Sequence, residues 1–599
     1  MNQNHTTLIQ RRQLLAGLVA TAGSAAVAGC MPRAEPGDPI WAGFDERITE
    51  RTLAEAEKLL GLQFTEAERR LMLGGQAVEA EDGYFTQRIT RNRQRRAIEK
   101  PNGLAPALVF DPRLPGVEYA AQPDAVALFR EPVADRPALA EDVAFASLKQ
   151  LAHWMNKGQL TSTELTSLYL DRIARYDGRL QSFITVTSEL ALQQAAEADR
   201  ERQAGRVRGP LHGIPYGLKD LADTAGIPTT WGAAPYRERV PDSDAAVTRL
   251  LREAGAVLLG KTAPGALAWG EVWFGGETRN PWNLAEGSSG SSAGSGAATA
   301  AGLCAFSIGT ETWGSITSPS ERCGVTGLRP THGRVSRAGA MALCWSLDKI
   351  GPMCRYAEDT ALVLAELNSY DPADAGSLTH GFAYDGNRPL SQLTAGYDPR
   401  MLEADETTPS DRAAFEALKA SGVQLVELEL PELPWDIIYT IVDVEATAAF
   451  EDLTLSGADD ELRLQIFDAW PNFLRIGHFT SAVSLVQCDR IRRQIMEQLH
   501  AFFAQSDVFF APYTDELNAL TNLSGHPTLV LRSGFEQRPS RAITGITEED
   551  TDGPKHAVPD SVHLWSGLFQ EGNLVTVGRA LEEALSPQSG WNARRPDLG

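Results

Sequence analysis

The stretch that most constrains this chain is residues 287–337, which reads GSSGSSAGSGAATAAGLCAFSIGTETWGSITSPSERCGVTGLRPTHGRVSR. Runs rich in glycine and serine are usually flexible linkers. This run instead continues into a small-residue segment typical of a helix, then into the apolar run 304–308, and then to a second serine, Ser315. A linker would not continue in this way, so we expect the whole stretch to lie inside a folded domain.

The composition is that of a globular protein with an acidic surface. Hydrophobic residues make up 43% and charged residues 22% of the 599 positions, which are ordinary values for a folded chain. The net charge of -23 argues against nucleic acid and against an anionic membrane surface as partners, because both require a basic patch. The six cysteines form no C-x-x-C pair, so the sequence indicates neither a zinc site nor a disulfide framework.

Residues 1–30 are predicted to be an export signal. Arg11 and Arg12 precede an uncharged stretch, 14–29, that is short and rich in alanine and glycine, which favours a cleavable signal over a membrane span. The paired arginines resemble a twin-arginine signal, and the sequence VAGC at 27–30 resembles a bacterial lipobox. We therefore expect a periplasmic protein, with membrane attachment through a lipidated Cys30. An uncleaved N-terminal anchor is the alternative, and it also places the body outside the cytoplasm.

Residues 31–140 are predicted to form an N-terminal extension and residues 141–599 the main domain. The extension carries a helical pattern at 53–62 and a second short helix through residue 73, which Thr65 and Glu68 begin as a capping box. The frequent prolines of 101–137 predict an extended segment that lies over the main body.

The main domain is predicted to be α/β. It opens with a helix at 147–157 and a second helix capped by Thr161 and Glu164. Short apolar runs then alternate with helical patterns, which indicates a largely buried sheet. These runs are 183–186, 256–259, 508–511 and 529–531. We interpret the polar stretch 536–559 as a long surface insertion and 371–387 as a connector between sheet halves.

Three separated stretches supply candidate reactive groups: 213–220 (GIPYGLKD), 290–292 (GSS) and 313–315 (WGS). A serine hydroxyl needs a neighbouring base, and a lysine can be that base where burial keeps it neutral. Lys219 follows apolar residues, so its burial is expected. The backbone N–H groups of Thr312, Trp313, Gly314 and Ser315 could stabilise an oxyanion in acyl transfer.

A different serine chemistry is also open at this point. Residues 290–294 match G-x-S-x-G, the nucleophile elbow of the α/β-hydrolases, which needs a preceding strand and a later histidine. Residues 280–289 are a poor strand by composition, and His526 is the histidine whose replacement by alanine would test the elbow. We interpret His212 and His332 as structural polar residues.

Together the stretches resemble the amidase signature family of serine hydrolases. Residues 289–295 resemble that family's GGSSGGS block, residues 309–317 its GTDTGGSIR block, and residues 323–336 its CGVxGLKPTxGRVS block. Shorter matches occur at 346–348, 351–352 and 522–527, and the resemblance covers about residues 141–590. It implies that Ser315 is the nucleophile, that Ser291, 24 positions earlier, is a bridging serine after a cis peptide, and that Lys219 is the catalytic lysine.

The resemblance also implies a fold and a reaction. The fold is a single large domain with a central mixed sheet covered by helices on both faces. The reaction is hydrolysis of a small-molecule carboxamide through an acyl-enzyme, with neither cofactor nor metal. Two other roles remain open: the amide-hydrolysing subunit of a tRNA-dependent amidotransferase, and a non-catalytic binding protein on the same fold. The sequence does not specify which amide is the substrate, nor the oligomeric state.

The chain departs from the family pattern near the predicted nucleophile. Ser289 and Ala293 replace glycines, which is a mild change. Glu311 replaces an aspartate and Thr317 replaces an arginine, so we expect a carboxylate–guanidinium contact to be lost or rebuilt. Trp313 replaces a glycine, where a positive φ would cost roughly 1–2 kcal/mol and where the indole must fill space near the acyl pocket. These departures are the support for the non-catalytic alternative.

Overall fold

The computed structural model describes residues 48–73, 92, 94–96, 98, 100–547, 552–589 and 594–599. The predicted export signal and Cys30 lie outside these residues. Two compact units are present, Met1–Lys100 and Pro101–Gly599. Within the described residues, no helix combines the length and the apolar character that crossing a bilayer requires. The five described cysteines are free.

The elements described in the first unit include two short helices, α1 (Glu50–Leu60) and α2 (Glu66–Met72). The Thr65 N–H donates to Glu68 Oε2 at 2.7 Å, and the Glu68 N–H donates to Thr65 Oγ1 at 3.3 Å. This reciprocal pair confirms the predicted capping box. Arg69 on α2 binds Glu57 on α1 at 2.7 Å, which holds the two helices together.

The described residues of the second unit form an 11-stranded mixed sheet. The strands of this sheet are β2 (Phe183–Val186), β3 (Pro215–Lys219), β4 (Val257–Thr262), β9 (Phe306–Glu311), β10 (Thr326–Arg329), β11 (Lys349–Cys354), β13 (Thr394–Tyr397), β14 (Gln424–Glu427), β15 (Val508–Pro512), β16 (Thr528–Arg538) and β17 (His556–Trp565). Their order across the sheet is β14-β13-β15-β17-β16-β10-β11-β9-β3-β4-β2. Three two-stranded pairs complete the described strands: β1 (Ala125–Ala127) with β12 (Ala383–Asp385), β5 (Val272–Trp273) with β6 (Gly276–Glu277), and β7 (Arg279–Asn280) with β8 (Asn283–Gly287). The four predicted strands are confirmed.

Helices cover the sheet, which confirms the predicted α/β class. They are α3 (Ala140–Ala144), α4 (Leu148–Asn156), α5 (Ser162–Leu180), α6 (Ser188–Gln203), α7 (Ala246–Glu253), α8 (Ala293–Ala300), α9 (Thr317–Cys323), α10 (Ala357–Leu367), α11 (Pro399–Glu403), α12 (Pro409–Ala420), α13 (Ile437–Ala449), α14 (Glu451–Leu455), α15 (Trp470–Gly477), α16 (Ala482–Phe503), α17 (Asp515–Ser524) and α18 (Glu571–Ser589). Ser147 and Thr161 cap α4 and α5 with complete capping boxes, as predicted.

The opening stretch 287–337 crosses the middle of this sheet. Its small residues form α8, whose residues are all buried, and its apolar run enters β9. Strands β9 and β3 are parallel neighbours, with Leu218 opposite Ile308. Lys219 ends β3 and Glu311 ends β9, so the carboxyl ends of both strands lie at one edge of the sheet. In α/β folds ligands bind outside the carboxyl ends of parallel strands.

Two local expectations are wrong. Residues 536–559 are not entirely an insertion, because β16 and β17 pair up to Arg538 opposite His556, with Glu536 opposite Val558. The polar composition of these strand ends reflects partial exposure, which the sequence pattern cannot separate from a loop. Residues 280–289, expected to be a poor strand, contribute to the β7–β8 pair.

The segment 101–140, predicted as part of the extension, belongs to the compact unit Pro101–Gly599. Its strand β1 pairs in parallel with β12, with Val126 opposite Tyr384. Strand β12 lies within the predicted connector 371–387. The boundary at residue 140 stays a prediction.

Candidate active site

Lys219 occupies a fully enclosed position at the end of β3, with 1% of its surface exposed. Its Nζ lies 2.8 Å from Ser291 Oγ, 3.0 Å from Ser292 Oγ and 2.8 Å from Thr310 Oγ1. Burial lowers the pKa of Lys219 well below 10.5, and the carboxylates of Asp348 and Glu311 only partly oppose that shift. The amine is therefore disposed to be neutral, and a neutral amine can accept a proton from a hydroxyl.

Ser291 lies in the turn between β8 and α8. The Gly290–Ser291 peptide is cis, as the family resemblance implies. A Cβ atom at Gly290 would lie 1.9 Å from the carbonyl oxygen of Gly270, so only glycine fits there. The next residue, Ser292, donates its N–H to the carbonyl of Ser315 at 3.0 Å, which ties this turn to the loop of the predicted nucleophile.

Ser315 lies in the loop between β9 and α9 and is 8% exposed. The Gly314 carbonyl accepts a hydrogen bond from the Ser318 N–H at 2.7 Å. In a trans peptide the following N–H points the opposite way, so the Ser315 N–H is directed away from the start of α9. This orientation is compatible with the predicted oxyanion role of that N–H.

Thr312 begins the same loop and is fixed by its side chain. Its Oγ1 donates to Asp348 Oδ1 at 2.5 Å. The other oxygen of Asp348 accepts from the N–H groups of Leu343 and Cys344, at 2.8 and 3.0 Å. Asp348 therefore anchors the start of the predicted oxyanion loop, a role that the sequence analysis did not assign to it.

The expected carboxylate–guanidinium contact has been rebuilt with a different arginine. Glu311 Oε1 accepts from Arg329 Nη1 at 2.7 Å, and Glu311 Oε2 accepts from the N–H groups of Ile316 and Thr317, at 2.8 and 2.9 Å. Burial alone would raise the pKa of Glu311, but the charges of Arg329 and Lys349 lower it to about 2. The sequence carried a signal, because Arg329 stands where the family block has lysine.

Trp313 packs against α13. Its ring centroid is 5.0 Å from that of Tyr439 in a T-shaped arrangement and 6.3 Å from that of Trp435. The positive φ of this loop, 87°, falls on Gly314, and Trp313 does not adopt one. The conformational cost considered for Trp313 therefore does not arise.

Because the positive φ falls on Gly314 and not on Trp313, substitutions at these two adjacent positions should have different effects. Gly314→Ala should lower kcat for amide hydrolysis by about tenfold, because a side chain at positive φ costs about 1–2 kcal/mol and displaces the loop. Trp313→Ala should change kcat by less than about threefold, while its lost aromatic contacts lower the free energy of unfolding by about 1–2 kcal/mol. Steady-state kinetics and urea unfolding measure the two effects. A larger loss of kcat in Trp313→Ala would contradict this geometry.

The nucleophile-elbow alternative requires a histidine that is hydrogen-bonded to its serine. His526 Nδ1 lies 2.8 Å from Ser524 Oγ, and His212 Nε2 lies 3.0 Å from the carbonyl of Ala198. In the part of the chain that the structure describes, no histidine is hydrogen-bonded to Ser291 or Ser292, and the neighbour of both is Lys219. The same residues contain no cluster of three or more histidine, cysteine, aspartate or glutamate side chains that could hold a metal ion.

Comparisons with known proteins identify the family and the relatives of this chain. The family model described as Amidase matches residues 164–527. The chain is 32% identical over 500 residues to one subunit of the glutamyl-tRNA(Gln) amidotransferase of Roseiflexus sp., covering 74% of this chain and 96% of the relative. It is 39% identical over 508 residues to the same subunit of the Marinobacter nauticus enzyme, covering 75% and 99%. The peptide amidase of Stenotrophomonas maltophilia has a similar structure, with a TM-score of 0.64, 30% identity, and coverage of 75% of this chain and 98% of the amidase.

Proposed function

Because this chain belongs to the amidase family, we propose that it hydrolyses a small-molecule carboxamide through an acyl-enzyme formed on Ser315. The observation that carries this proposal is the 2.8 Å separation of Lys219 Nζ and Ser291 Oγ inside a buried site. A lysine that is disposed to be neutral can act as a base, and the hydrogen bond from Ser292 to Ser315 keeps the turn of Ser291 beside the nucleophile loop. The family acts on amide C–N bonds, and the particular substrate is part of the proposal.

The reaction begins with proton transfer. Lys219 takes a proton from Ser291, and Ser291 takes one from Ser315 as the Ser315 oxygen attacks the amide carbonyl. The developing oxyanion accepts hydrogen bonds from backbone N–H groups of residues 312–315, which the Asp348–Thr312 contact holds in place. Such donors stabilise the transition state most where water is excluded.

The tetrahedral intermediate then breaks its C–N bond. Ser291 gives its proton to the departing amine and regains one from Lys219, which leaves an ester between the acyl group and Ser315. Water enters, gives up a proton to the same relay, and attacks the ester. The relay then returns that proton to Ser315 as the ester C–O bond breaks and the carboxylic acid is released. No step in this scheme calls for a metal or a cofactor.

A panel of aliphatic, aryl and peptide amides tests the proposal when hydroxylamine is added to half of the reactions. An acyl-enzyme transfers its acyl group to hydroxylamine, so a hydroxamate should form in place of part of the acid. Ser315→Ala should form neither product. Amide hydrolysis that continues without any hydroxamate would contradict an acyl-enzyme.

The state of Lys219 predicts how the rate depends on pH. Because burial lowers its pKa well below 10.5 and the base must be unprotonated, kcat/KM should rise with pH through that lowered pKa and then level off. A pH–rate profile of the wild-type chain measures this acid limb. A rate that rises only near the pKa of an ordinary lysine would contradict a buried neutral base.

We further propose that the protein is exported and periplasmic, tethered by a lipidated Cys30. The support is the sequence of residues 1–30, with Arg11, Arg12 and the VAGC segment. Fractionation of cells that express the full chain, compared with Cys30→Ala, tests it. Wild-type protein should be found with the membrane and the variant in the soluble periplasm.

The names of the curated relatives favour a second candidate, one of the subunits of an amidotransferase. That role requires a partner complex that handles RNA, and a net charge of -23 opposes association with a polyanion. Hydrolysis of simple amides by the purified chain alone favours the amidase. Activity that appears only with a partner chain and tRNA would favour the amidotransferase.

A further inference from the structure

A cavity of about 230 Å³ lies beside the proposed relay, and the mechanism above assigns no occupant to it. Its wall includes Thr310 and Thr312, which flank Glu311 at the end of β9, and Leu221, two residues beyond Lys219. Thr310 Oγ1 is the neighbour of Lys219 Nζ at 2.8 Å. The cavity is therefore bounded by residues adjacent to both the base and the nucleophile loop.

The wall of this cavity is mainly apolar. Its hydrophobic side chains include Leu221, Ala268, Met341, Leu343 and Ile350. Volumes of this order suit a small organic group, because binding pockets for whole drug-sized ligands span about 300–1,000 Å³.

The charged groups of the wall already make hydrogen bonds within the protein. Asp348 accepts three hydrogen bonds, one from Thr312 and two from backbone N–H groups. Arg337 pairs with Asp374 at 2.7 Å, and Lys349 donates to the carbonyl of Leu347. A charged guest would lose its hydration here without gaining a partner, so the cavity favours an uncharged one.

A tight turn of residues 101–104 borders the cavity. The Leu104 N–H donates to the Pro101 carbonyl at 2.8 Å. The side chain of Asn102 pairs with both backbone groups of Ala342, accepting from its N–H at 2.7 Å and donating to its carbonyl at 2.9 Å. Ala342 lines the cavity, as does Leu104, which is 62% exposed. Leu104 thus occupies the solvent-facing rim.

We infer that this cavity binds a compact, uncharged, apolar group attached to the scissile amide, and that Leu104 limits the size of that group. The inference rests on the proposed function, because it places one side of an amide substrate next to Ser315. The apolar group could be the acyl chain of the substrate or an alkyl group on its amine, because both are uncharged and apolar. The experiment below distinguishes the two.

Two series of substrates test the inference: 4-nitroanilides of straight-chain acids from acetyl to octanoyl, and N-alkylacetamides from methyl to octyl. Leu104→Trp should lower kcat/KM for the longer members of one series by roughly tenfold or more relative to the shortest member, since each methylene in an apolar pocket changes discrimination by about 10- to 200-fold. The series that responds identifies the side of the amide that is bound. Leu108→Trp is the matched control, because Leu108 is 95% exposed in the same segment and does not line the cavity.

Labelling with diisopropyl fluorophosphate separates the failure of this inference from failure of the proposed function. If Leu104→Trp and Leu108→Trp label as the wild type does, and both keep the wild-type chain-length profile, the inference is wrong and the amidase proposal stands. The inference would also be overturned if substrates whose chains end in a carboxylate reacted as fast as uncharged substrates of the same length. If the folded wild-type protein is not labelled at all, the proposed function fails and the inference fails with it.

Discussion

Lys219→Met should lower kcat for amide hydrolysis by roughly 10⁴-fold, because the relay then has no base and a serine hydroxyl alone is a weak nucleophile. Methionine has a similar length and suits a site that is 1% exposed. One of the hydroxyls around it, Ser292 Oγ, keeps a partner, since it also donates to the Thr310 carbonyl at 3.1 Å. The melting temperature should therefore change little while steady-state activity is lost.

Separate alanine substitutions of the adjacent residues Ser291 and Ser292 are the matched control for this variant. Both Ser291 Oγ and Ser292 Oγ lie near Lys219 Nζ, at 2.8 and 3.0 Å, but only Ser291 belongs to the proposed relay. Ser291→Ala should approach the loss seen in Lys219→Met, whereas Ser292→Ala should lower kcat by about tenfold or less. A larger loss of kcat in Ser292→Ala than in Ser291→Ala would assign the bridging role to Ser292.

Arg329→Met should lower the free energy of unfolding by about 3–5 kcal/mol, because it leaves Glu311 buried without its cation. Arg329 is fully buried and also donates to Asn518 Oδ1 and Thr521 Oγ1, each at 2.8 Å. Glu311 also accepts hydrogen bonds from the N–H groups of Ile316 and Thr317. Because these residues directly follow Ser315, activity at Ser315 should fall as well. Urea unfolding and kcat, measured on the same preparation, test both effects.

The double variant Glu311→Gln/Arg329→Met is the control, because it removes the unpaired charge together with its partner. It should recover a large part of the lost stability.

The pH dependence of the free energy of unfolding gives a second check. The folded pKa of Glu311, about 2, lies below its usual 4.5, so the ion pair's contribution is present above pH 4.5 and is lost as pH falls towards 2. Arg329→Met should lack this acid-dependent loss, and a double variant no more stable than the single one would contradict the pairing.

The parts of the site that the sequence predicts are those determined by nearby residues. Apolar neighbours of Lys219 indicate its burial, and the small residues of 293–300 indicate a helix that packs closely. Capping pairs such as Thr161 with Glu164 mark helix starts directly. The family motifs add the separation of Ser291 and Ser315, and in the fold Ser292, the neighbour of Ser291, donates its N–H to the Ser315 carbonyl at 3.0 Å.

The remaining features depend on partners that are distant in the chain. Arg329 reaches Glu311 because β10 lies two strands from β9 in the sheet, a distance that periodicity does not encode. Trp313 contacts Tyr439, more than a hundred positions later. The turn at Asn102 borders a cavity whose wall comes from residues 340–350 and 372–375. Side-chain pairing over such separations follows from the sheet order, and no local pattern specifies that order.

The most direct test of the central claim, that Ser315 is an activated nucleophile, is covalent labelling by a fluorophosphonate probe. The folded wild-type chain and Ser315→Ala are incubated with the probe at neutral pH, and the site of modification is read by peptide mass spectrometry. We expect stoichiometric labelling of the wild type at Ser315 and none of the variant. Equal labelling of the variant, or no labelling of folded wild-type protein, would contradict the claim.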